Sequence, residues 1–281
     1  MSVSRDKKLS LQVGAKLNLY LAVWGKKGNY HLLETVFQSI DLYDEITVKI
    51  GGEGIQLSCV GVSAGEDNLA YRSALAFKEA FGIKEGISIE LIKGIPIARG
   101  LGGGSADAGG VLCALGKLFA IPRENLLPIA SSIGADVTFF LYGGCAIGRG
   151  IGDIIEPLPF IPRFRFFLII PPFPISTALA YSHLKPPFEP SILNKFVEAL
   201  EKADIIEIEK FMRNDLEKAV FPCFPELREA KEELGRKGFP TLMTGSGSAL
   251  FSFFQGEPPT FHREGWQTIM VNPTQKAVVW R

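Results

Sequence analysis

The feature that most constrains the fold is a glycine-rich segment between a strand pattern and a helix pattern. Residues 94–110 read GIPIARGLGGGSADAGG, after the alternating, β-branched stretch ISIELI at 87–92. Apolar residues at helical spacing then continue to residue 119, so Ser105 or Asp107 is expected to cap a helix over 106–119. In a strand, loop and helix unit, the loop amides and the helix N-terminus converge on one point, which predicts an anion site.

Two common phosphate loops differ from this segment. The Walker A pattern requires Gly-Lys-Ser/Thr, and no lysine lies between Gly94 and Gly116. The dinucleotide pattern G-x-G-x-x-G fits Gly100 and Gly102 but finds Ser105 where the third glycine belongs. Local chemistry therefore favours another kind of phosphate or nucleotide loop, and leaves a structural loop and a dinucleotide site as alternatives.

Composition narrows the class of protein. With 281 residues, 47% of them hydrophobic, the chain can bury a large core in one large domain or two. A formal net charge of zero argues against nucleic-acid and membrane partners. The four cysteines form no C-x-x-C pair and the three histidines lack metal-ligand spacing, which is typical of reduced thiols in the cytoplasm. We expect a cytoplasmic protein without signal peptide or membrane span.

The hydrophobic pattern predicts a mixed α/β chain with a break at the proline-rich residues 157–164, which gives domains 1–160 and 161–281. Strands are expected at 9–23, 34–40, 45–50, 55–60, 87–92 and 165–170, with a last pair of strands at 248–254 and 267–271. Helices are expected at 67–81, 106–119, 124–133, 176–184, 191–220 (broken) and 225–237.

Two places carry polar residues whose roles the local pattern leaves open. Lys16, Asn18 and Tyr20 share one face of the first strand, opposite an apolar face. That polar face is either solvated, as is usual, or covered, in which case Lys16 is a fixed positive charge suited to an anionic substrate. Asp136 precedes an apolar run and is either a helix N-cap or a carboxylate held to accept a proton.

Longer motifs give the chain a family resemblance. The motifs are VGAKLNLYL (13–21), GNYHLLETVFQSIDLYDEI (28–46), IPIARGLGGGSADAG (95–109), GADVTFFLYGGCAIGRGIGD (134–153), NDLE (214–217) and MTGSGSALF (243–251). By these motifs the chain resembles the 4-diphosphocytidyl-2-C-methylerythritol kinases, members of the superfamily of galactokinase, homoserine kinase, mevalonate kinase and phosphomevalonate kinase. The resemblance implies a ribosomal-protein S5-like N-terminal domain that binds ATP, a ferredoxin-like C-terminal domain, and a substrate site in the cleft between them.

The resemblance also implies a reaction and its residues. Asp136 would accept the proton of a substrate hydroxyl while Lys16 keeps Asp136 ionised and stabilises charge as the γ-phosphoryl group of ATP transfers. Ser105 would lie near the oxygens that bind Mg²⁺. The implied ATP-binding residues are Pro96, Ile97, Ala98, Arg99, Gly100, Leu101, Gly102, Gly103, Gly104, Ser105 and Ala106 of the loop, with Asn68 near the adenine.

At the substrate end, the resemblance implies that Tyr30 and Tyr181 sandwich a cytosine and that His31 bonds its polar edge. Asn18 and Thr177 would line the erythritol and phosphate region. The expected substrate is thus a small molecule, cytidine diphosphate linked to methylerythritol, phosphorylated on its 2-hydroxyl in the synthesis of isoprenoid precursors. Alternatives are a mevalonate- or homoserine-type kinase on the same fold and a binding protein without turnover.

Overall fold

Two long antiparallel strands form the centre of the larger sheet. The computed structural model describes residues 7–28, 30–61, 63 and 65–281. Strand β1 (Lys8–Lys27) pairs with β2 (Tyr30–Ile50), and their register shifts between Gly14 and Lys16, between Asn18 and Tyr20, and between Val23 and Gly25. What the sequence predicts as strands 34–40 and 45–50 is therefore one continuous strand, β2.

The other strands and the helices follow along the chain. The strands are β3 (Ile55–Cys59), β4 (Ile87–Ile92), β5 (Cys145–Arg149), β6 (Ile154–Pro157), β7 (Arg165–Ile170), β8 (Thr241–Met243), β9 (Leu250–Phe254), β10 (Gln267–Val271) and β11 (Val278–Trp280). The helices are α1 (Leu69–Phe81), α2 (Gly103–Phe119), α3 (Arg123–Ile133), α4 (Val137–Phe140), α5 (Thr177–Ser182), α6 (Leu193–Lys202), α7 (Ile205–Phe211), α8 (Glu217–Val220) and α9 (Pro225–Arg236). No helix within the described ranges is long and apolar enough to cross a bilayer.

The strands form two sheets. The larger has the order β11-β1-β2-β4-β3, with β5 paired to β2 and β6 paired to β5. The smaller has the order β10-β7-β9-β8, the 4-1-3-2 arrangement of a ferredoxin-like sheet. The last pair of strands predicted from sequence is present, but β7 lies between β9 and β10, so the two do not pair with each other.

The C-terminal end of the chain returns to the larger sheet. Leu11 of β1 pairs with Trp280 of β11, so a division of the chain at residue 160 leaves β11 in the wrong sheet. An unpaired β1 would leave a row of backbone donors and acceptors open at the sheet edge, and β11 covers part of that row. Three residues are too few to show as a strand pattern, so this return could not be predicted.

The apolar core runs between the two sheets. Buried residues of β1, β2 and α2 form one cluster with Phe166 of β7 and Phe251 of β9. A second cluster joins Leu21 of β1 to the far face of the smaller sheet and its helices. The middle of β1 is packed on both sides, so Lys16, Asn18 and Tyr20 are buried, and this positions the site described next.

Candidate active site

A cleft of about 1020 Å³ opens between the two sheets. The predicted site residues that line it are Lys16, Asn18, Tyr30, His31, Asn68, residues 96–105, Asp136, Thr177 and Tyr181. Ala106 does not line the cleft, because it is completely buried in the core behind the loop. Asn29, within one of the family-like motifs, lies outside the described residues.

The glycine loop ends in an uncapped helix N-terminus. Helix α2 begins at Gly103 after Gly102 at the N-cap, and no side chain caps it; the first intrahelical bond runs from Ala106 N to Gly102 O at 2.8 Å. Ser105 and Asp107 therefore lie inside the helix, and the prediction that one of them caps it is wrong. The amides of 103–105 lack intrahelical acceptors and belong to residues that line the cleft, an arrangement suited to an anion.

Two glycines let the loop approach its neighbours closely. Gly100 and Gly102 have φ of +76° and +75°, the left-handed region. A Cβ on Gly100 would lie 2.1 Å from the carbonyl oxygen of Thr244, and one on Gly102 would lie 2.9 Å from Cγ of Lys16. These glycines bring the loop into contact with the second glycine motif, MTGSGSALF (243–251), and with the stem of Lys16.

Beneath the loop, a lysine bridges two buried carboxylates. Lys93 bonds Asp44 of β2 and lies 2.5 Å from Oδ2 of Asp107 in α2. Oδ1 of Asp44 also accepts hydrogen bonds from the backbone amides of Gly94 (2.7 Å) and Ile95 (2.8 Å) at the start of the loop. The bridge thus ties together both ends of the glycine loop.

One oxygen of Asp107, Oδ1, is buried without a hydrogen-bond partner. Burial raises the pKa of Asp107 to about 7; Lys93 opposes this rise and Asp44 reinforces it. Asp107 therefore keeps its proton to a higher pH than an ordinary aspartate does.

Asp107→Asn should flatten the pH dependence of stability. Because the pKa of Asp107 in the folded state, about 7, is above its ordinary 3.8, the stability it contributes is fully present below about pH 4 and is lost as pH rises through about 7. Asparagine does not titrate. The Tm of the wild type, measured without nucleotide, should fall relative to that of the variant between about pH 5 and pH 8. Parallel Tm curves would contradict the raised pKa.

The catalytic pair expected from the resemblance meets at the middle of the cleft. Nζ of Lys16 lies 3.4 Å from Oδ2 of Asp136. Asp136 occupies the N-cap position of α4, yet its side chain makes no capping bond. Its carboxylate is about one-third exposed, whereas the Lys16 side chain is almost fully buried. The capping alternative is therefore wrong, and Asp136 is left available to a bound molecule.

The polar face of β1 is covered, so its solvated alternative is wrong as well. Lys16 donates to Oδ1 of Asn18, and Nδ2 of Asn18 donates to Thr35 Oγ1 at 2.8 Å. The backbone amide of Asn18 donates to Thr244 Oγ1 at 3.0 Å. Since both ends of the Asn18 amide are bonded, Lys16 is held by a side chain that is itself fixed between two strands.

Aromatic rings gather at one end of the cleft. The rings of His31 and Tyr181 lie 5.0 Å apart at 32°, and Tyr30 is 65% exposed on the rim. Nε2 of His31 is buried without a partner, while burial and the nearby Lys26 lower the pKa of His31. Burial and Asp136 raise the pKa of Tyr181. The neutral rings of His31 and Tyr181, with Nε2 of His31 free to form a hydrogen bond, suit a flat ring that carries polar atoms on its edge.

Sequence reasoning missed other residues near the cleft. Ser246 of the second glycine motif lies 3.1 Å from Thr177, hydroxyl oxygen to hydroxyl oxygen, and both line the cleft. Phe188 meets the His31 ring edge-on at 6.3 Å. The GSGS motif was a signal for Ser246, whereas nothing local distinguishes Phe188 from a core residue.

Family comparisons agree with this arrangement. The model of the GHMP kinases N terminal domain matches residues 68–144, and that of the GHMP kinases C terminal matches residues 196–264. The first match includes the glycine loop and Asp136, and the second includes β8 and β9 of the smaller sheet. Fold and site together define a kinase of the GHMP class.

Curated relatives narrow the class. The chain is 42% identical over 250 residues to the 4-diphosphocytidyl-2-C-methyl-D-erythritol kinase of Desulfitobacterium hafniense, covering 86% of each chain. It is 38% identical to the Thermotoga maritima enzyme of that name, over 85% of this chain and 90% of the other. The chain belongs to the family of 4-diphosphocytidyl-2-C-methyl-D-erythritol kinases.

Solved structures show the same fold. A crystal structure of 4-(cytidine 5'-diphospho)-2C-methyl-D-erythritol kinase matches with a TM-score of 0.77 and 36% identity, over 88% of this chain and 91% of the other. A homoserine kinase from Cytophaga hutchinsonii matches with a TM-score of 0.78 over 100% and 99%, but at 19% identity. The second likeness shows the fold alone.

Proposed function

We propose that the protein transfers the γ-phosphoryl group of ATP to the 2-hydroxyl of 4-diphosphocytidyl-2-C-methyl-D-erythritol, a step in the synthesis of isoprenoid precursors. The observation that carries the proposal is the Lys16–Asp136 contact, which lies in one cleft between the uncapped N-terminus of α2 and the His31–Tyr181 rings. The relatives do not favour the mevalonate- or homoserine-type alternative.

ATP would occupy the end of the cleft formed by the glycine loop. Its phosphates would accept hydrogen bonds from the free backbone amides at the start of α2, where the helix dipole favours negative charge. Asn68 would reach the adenine. The side-chain oxygen of Asn68 caps α1 by accepting a hydrogen bond from Ala70 N (2.9 Å), and its side-chain nitrogen donates to Ser63 O (2.8 Å). It retains one further donor and one further acceptor site for a base.

The donor set fits a magnesium ion that is held mainly by the nucleotide. Among the described residues, no three His, Cys, Asp or Glu side chains cluster as a metal site. Mg²⁺ usually takes one or two protein oxygens together with substrate phosphates, and Ser105 lines the cleft in the first turn of α2. We propose that Ser105 contributes to holding the ion, which would neutralise charge on the phosphates.

Catalysis would then rest on positioning and charge. Asp136 takes the proton of the attacking hydroxyl, the hydroxyl oxygen bonds to the γ-phosphorus, and the bond to the bridging oxygen breaks to release ADP. Lys16, fixed by Asn18, keeps a positive charge beside the reacting groups throughout. Because both residues are preorganised, little rearrangement is needed in the transition state.

The aromatic end would take the cytosine. Tyr30 and Tyr181 would stack on the base, and the buried Nε2 of His31 would find its missing partner on the base edge. Asn18 and Thr177 would line the erythritol and phosphate region between the two ends.

Tyr30→Ala or Tyr181→Ala should weaken binding of the cytidyl substrate selectively. Stacking on one ring contributes about 1 to 3 kcal/mol, so the KM for the cytidyl substrate should rise by roughly 5- to 150-fold. The KM for ATP should change little, because ATP binds at the other end. Steady-state kinetics with each substrate varied would measure both values. Equal losses for both substrates would mean general destabilisation, and a loss for ATP alone would place the adenine at these rings.

Phosphate transfer itself tests the proposal. Purified protein should release ADP rapidly with the cytidyl compound, but not with mevalonate or homoserine. Transfer to mevalonate or homoserine at a comparable rate would overturn the choice of substrate, and absence of ADP release with all three would leave the binding-protein alternative.

We also propose a cytoplasmic protein that acts on a small molecule, without nucleic-acid or membrane partners. Its four cysteines are free thiols, and burial raises the pKa of Cys113 and Cys145 to about 12. Unreactive reduced thiols and zero net charge support this location.

A further inference from the structure

The linker between α5 and α6 passes beside the aromatic end of the cleft. Residues 183–192 form neither helix nor strand, and they follow directly after Tyr181 and Ser182 of α5. Phe188 in this linker meets the ring of His31 edge-on. Without backbone ladders of its own, the linker depends on side chains from elsewhere to keep Phe188 in place.

Tyr20 of β1 holds one end of the linker. It is fully buried, and its hydroxyl accepts the amide of Ile192 at 3.0 Å and lies 3.2 Å from the hydroxyl of Ser191. Its ring stacks on Phe196 of α6 with centroids 5.4 Å apart. A register shift after Asn18 pairs Tyr20 with Val36, next to the Phe37 that pairs with Asn18. Tyr20 therefore faces the opposite side of β1 from Lys16 and Asn18, contrary to the shared face predicted from sequence, and does not line the cleft. The proposed catalytic mechanism gives it no role.

Arg213 holds the neighbouring residues. Its guanidinium donates to the carbonyl oxygens of Pro190 (2.9 Å) and Glu189 (3.2 Å). The same guanidinium forms a two-pronged pair with Asp215 at 2.7 Å for each contact. Asp215 also accepts the amide of Val23 at 2.8 Å, so this second anchor leads back to β1.

We propose that Tyr20 and Arg213 are positioning residues that fix linker 183–192 to β1 and so hold Phe188 against His31 at the base-binding end. This inference rests on the proposed function, since it assigns the base to the His31 end. Both anchors end on β1, the strand that carries Lys16. The distance between the base site and the catalytic pair is therefore set by one strand.

Tyr20→Phe tests the first anchor with the smallest change. It keeps the stacked ring and removes only the hydroxyl, at a typical net value of about 1 kcal/mol for each hydrogen bond lost. The KM for the cytidyl substrate and the Kd for cytidine 5'-diphosphate, measured by calorimetry, should rise about 3- to 10-fold. The kcat at saturation and the KM for ATP should stay within about twofold, a split that general loss of structure would not give.

Arg213→Lys tests the second anchor while it keeps a charge beside Asp215. Lysine cannot donate hydrogen bonds to two carbonyls and a carboxylate at once. We therefore expect the KM for the cytidyl substrate to rise as in Tyr20→Phe, while the KM for ATP stays unchanged. Glu189→Gln is the matched control within the linker: its side chain pairs with Lys218 on the surface, and its carbonyl, which Arg213 uses, is retained. The control should match the wild type.

The outcomes separate this inference from the proposed function. A wild type that does not phosphorylate the cytidyl compound overturns the proposed function. A wild type that does, together with Tyr20→Phe and Arg213→Lys variants of unchanged cytidyl affinity, overturns the inference alone. Equal rises of the KM for ATP and for the cytidyl substrate would also overturn it, since they would show that the anchors support the fold as a whole.

Discussion

Asp136→Asn should lower kcat by roughly 10² to 10⁴ while the protein stays folded. The substitution keeps the size of the side chain and removes the proton acceptor. It breaks no helix cap, because Asp136 makes no capping bond, and it leaves Lys16 its acceptor on Asn18. Single-turnover and steady-state rates with ATP and the cytidyl substrate would measure the loss, and a thermal melt would confirm the fold.

Asp204→Asn is the matched control for that change. Asp204 caps α7 by accepting the amides of Ile206 and Glu207, and asparagine caps equally well. Its kcat should equal that of the wild type. An Asp136→Asn enzyme that kept more than about a third of wild-type kcat would show that another group takes the proton.

Local patterns predicted the elements whose cause is local. Strands β4 and β7 have the bounds predicted from the sequence, and α2 ends at residue 119 as its apolar spacing requires. The start of α2 was misplaced because serine and aspartate usually mark an N-cap, whereas here a left-handed Gly102 takes that position and leaves the amides free.

Long-range packing decided what the sequence could not. Lys16 lies on a strand face that would ordinarily be solvated, but the glycine loop packs against its stem at Gly102 and the chain returns to this face at Thr244. Asp44, Lys93 and Asp107 are far apart along the chain, and each charge alone resembles a surface residue. Their bridge exists because β2, β4 and α2 meet beneath the loop.

The site itself was predicted by a resemblance and not by chemistry. From the residues alone, Lys16 had a solvated alternative and Asp136 a capping alternative, and only the family motifs chose between them. The structure places the two side chains 3.4 Å apart, and their catalytic roles stay a prediction. The hydroxyl of Tyr20 had no such motif, so its bond to the linker could be found only from the structure.

Lys16→Met should reduce turnover by about 10²-fold or more, as expected when a preorganised charge is removed from the transition state. Methionine preserves the apolar stem that packs against Gly102 and loses only the ammonium group. The Tm should change little, because the variant loses the bonds of Lys16 to Asn18 and Asp136 but no longer buries a charge whose desolvation is costly. Lys202→Met, which removes an exposed lysine paired with Glu198 in α6, is the control and should keep wild-type kcat.

The double variant Lys16→Met/Asp136→Asn shows whether the two residues act as a unit. If Lys16 works through its contact with Asp136, removing both should slow kcat by no more than about threefold beyond the slower single variant. Losses that multiply would instead mean that Lys16 stabilises the transferring phosphoryl group independently of Asp136. Unchanged turnover in Lys16→Met alone would reduce Lys16 to a structural residue of β1 and leave Asp136 without its positive partner.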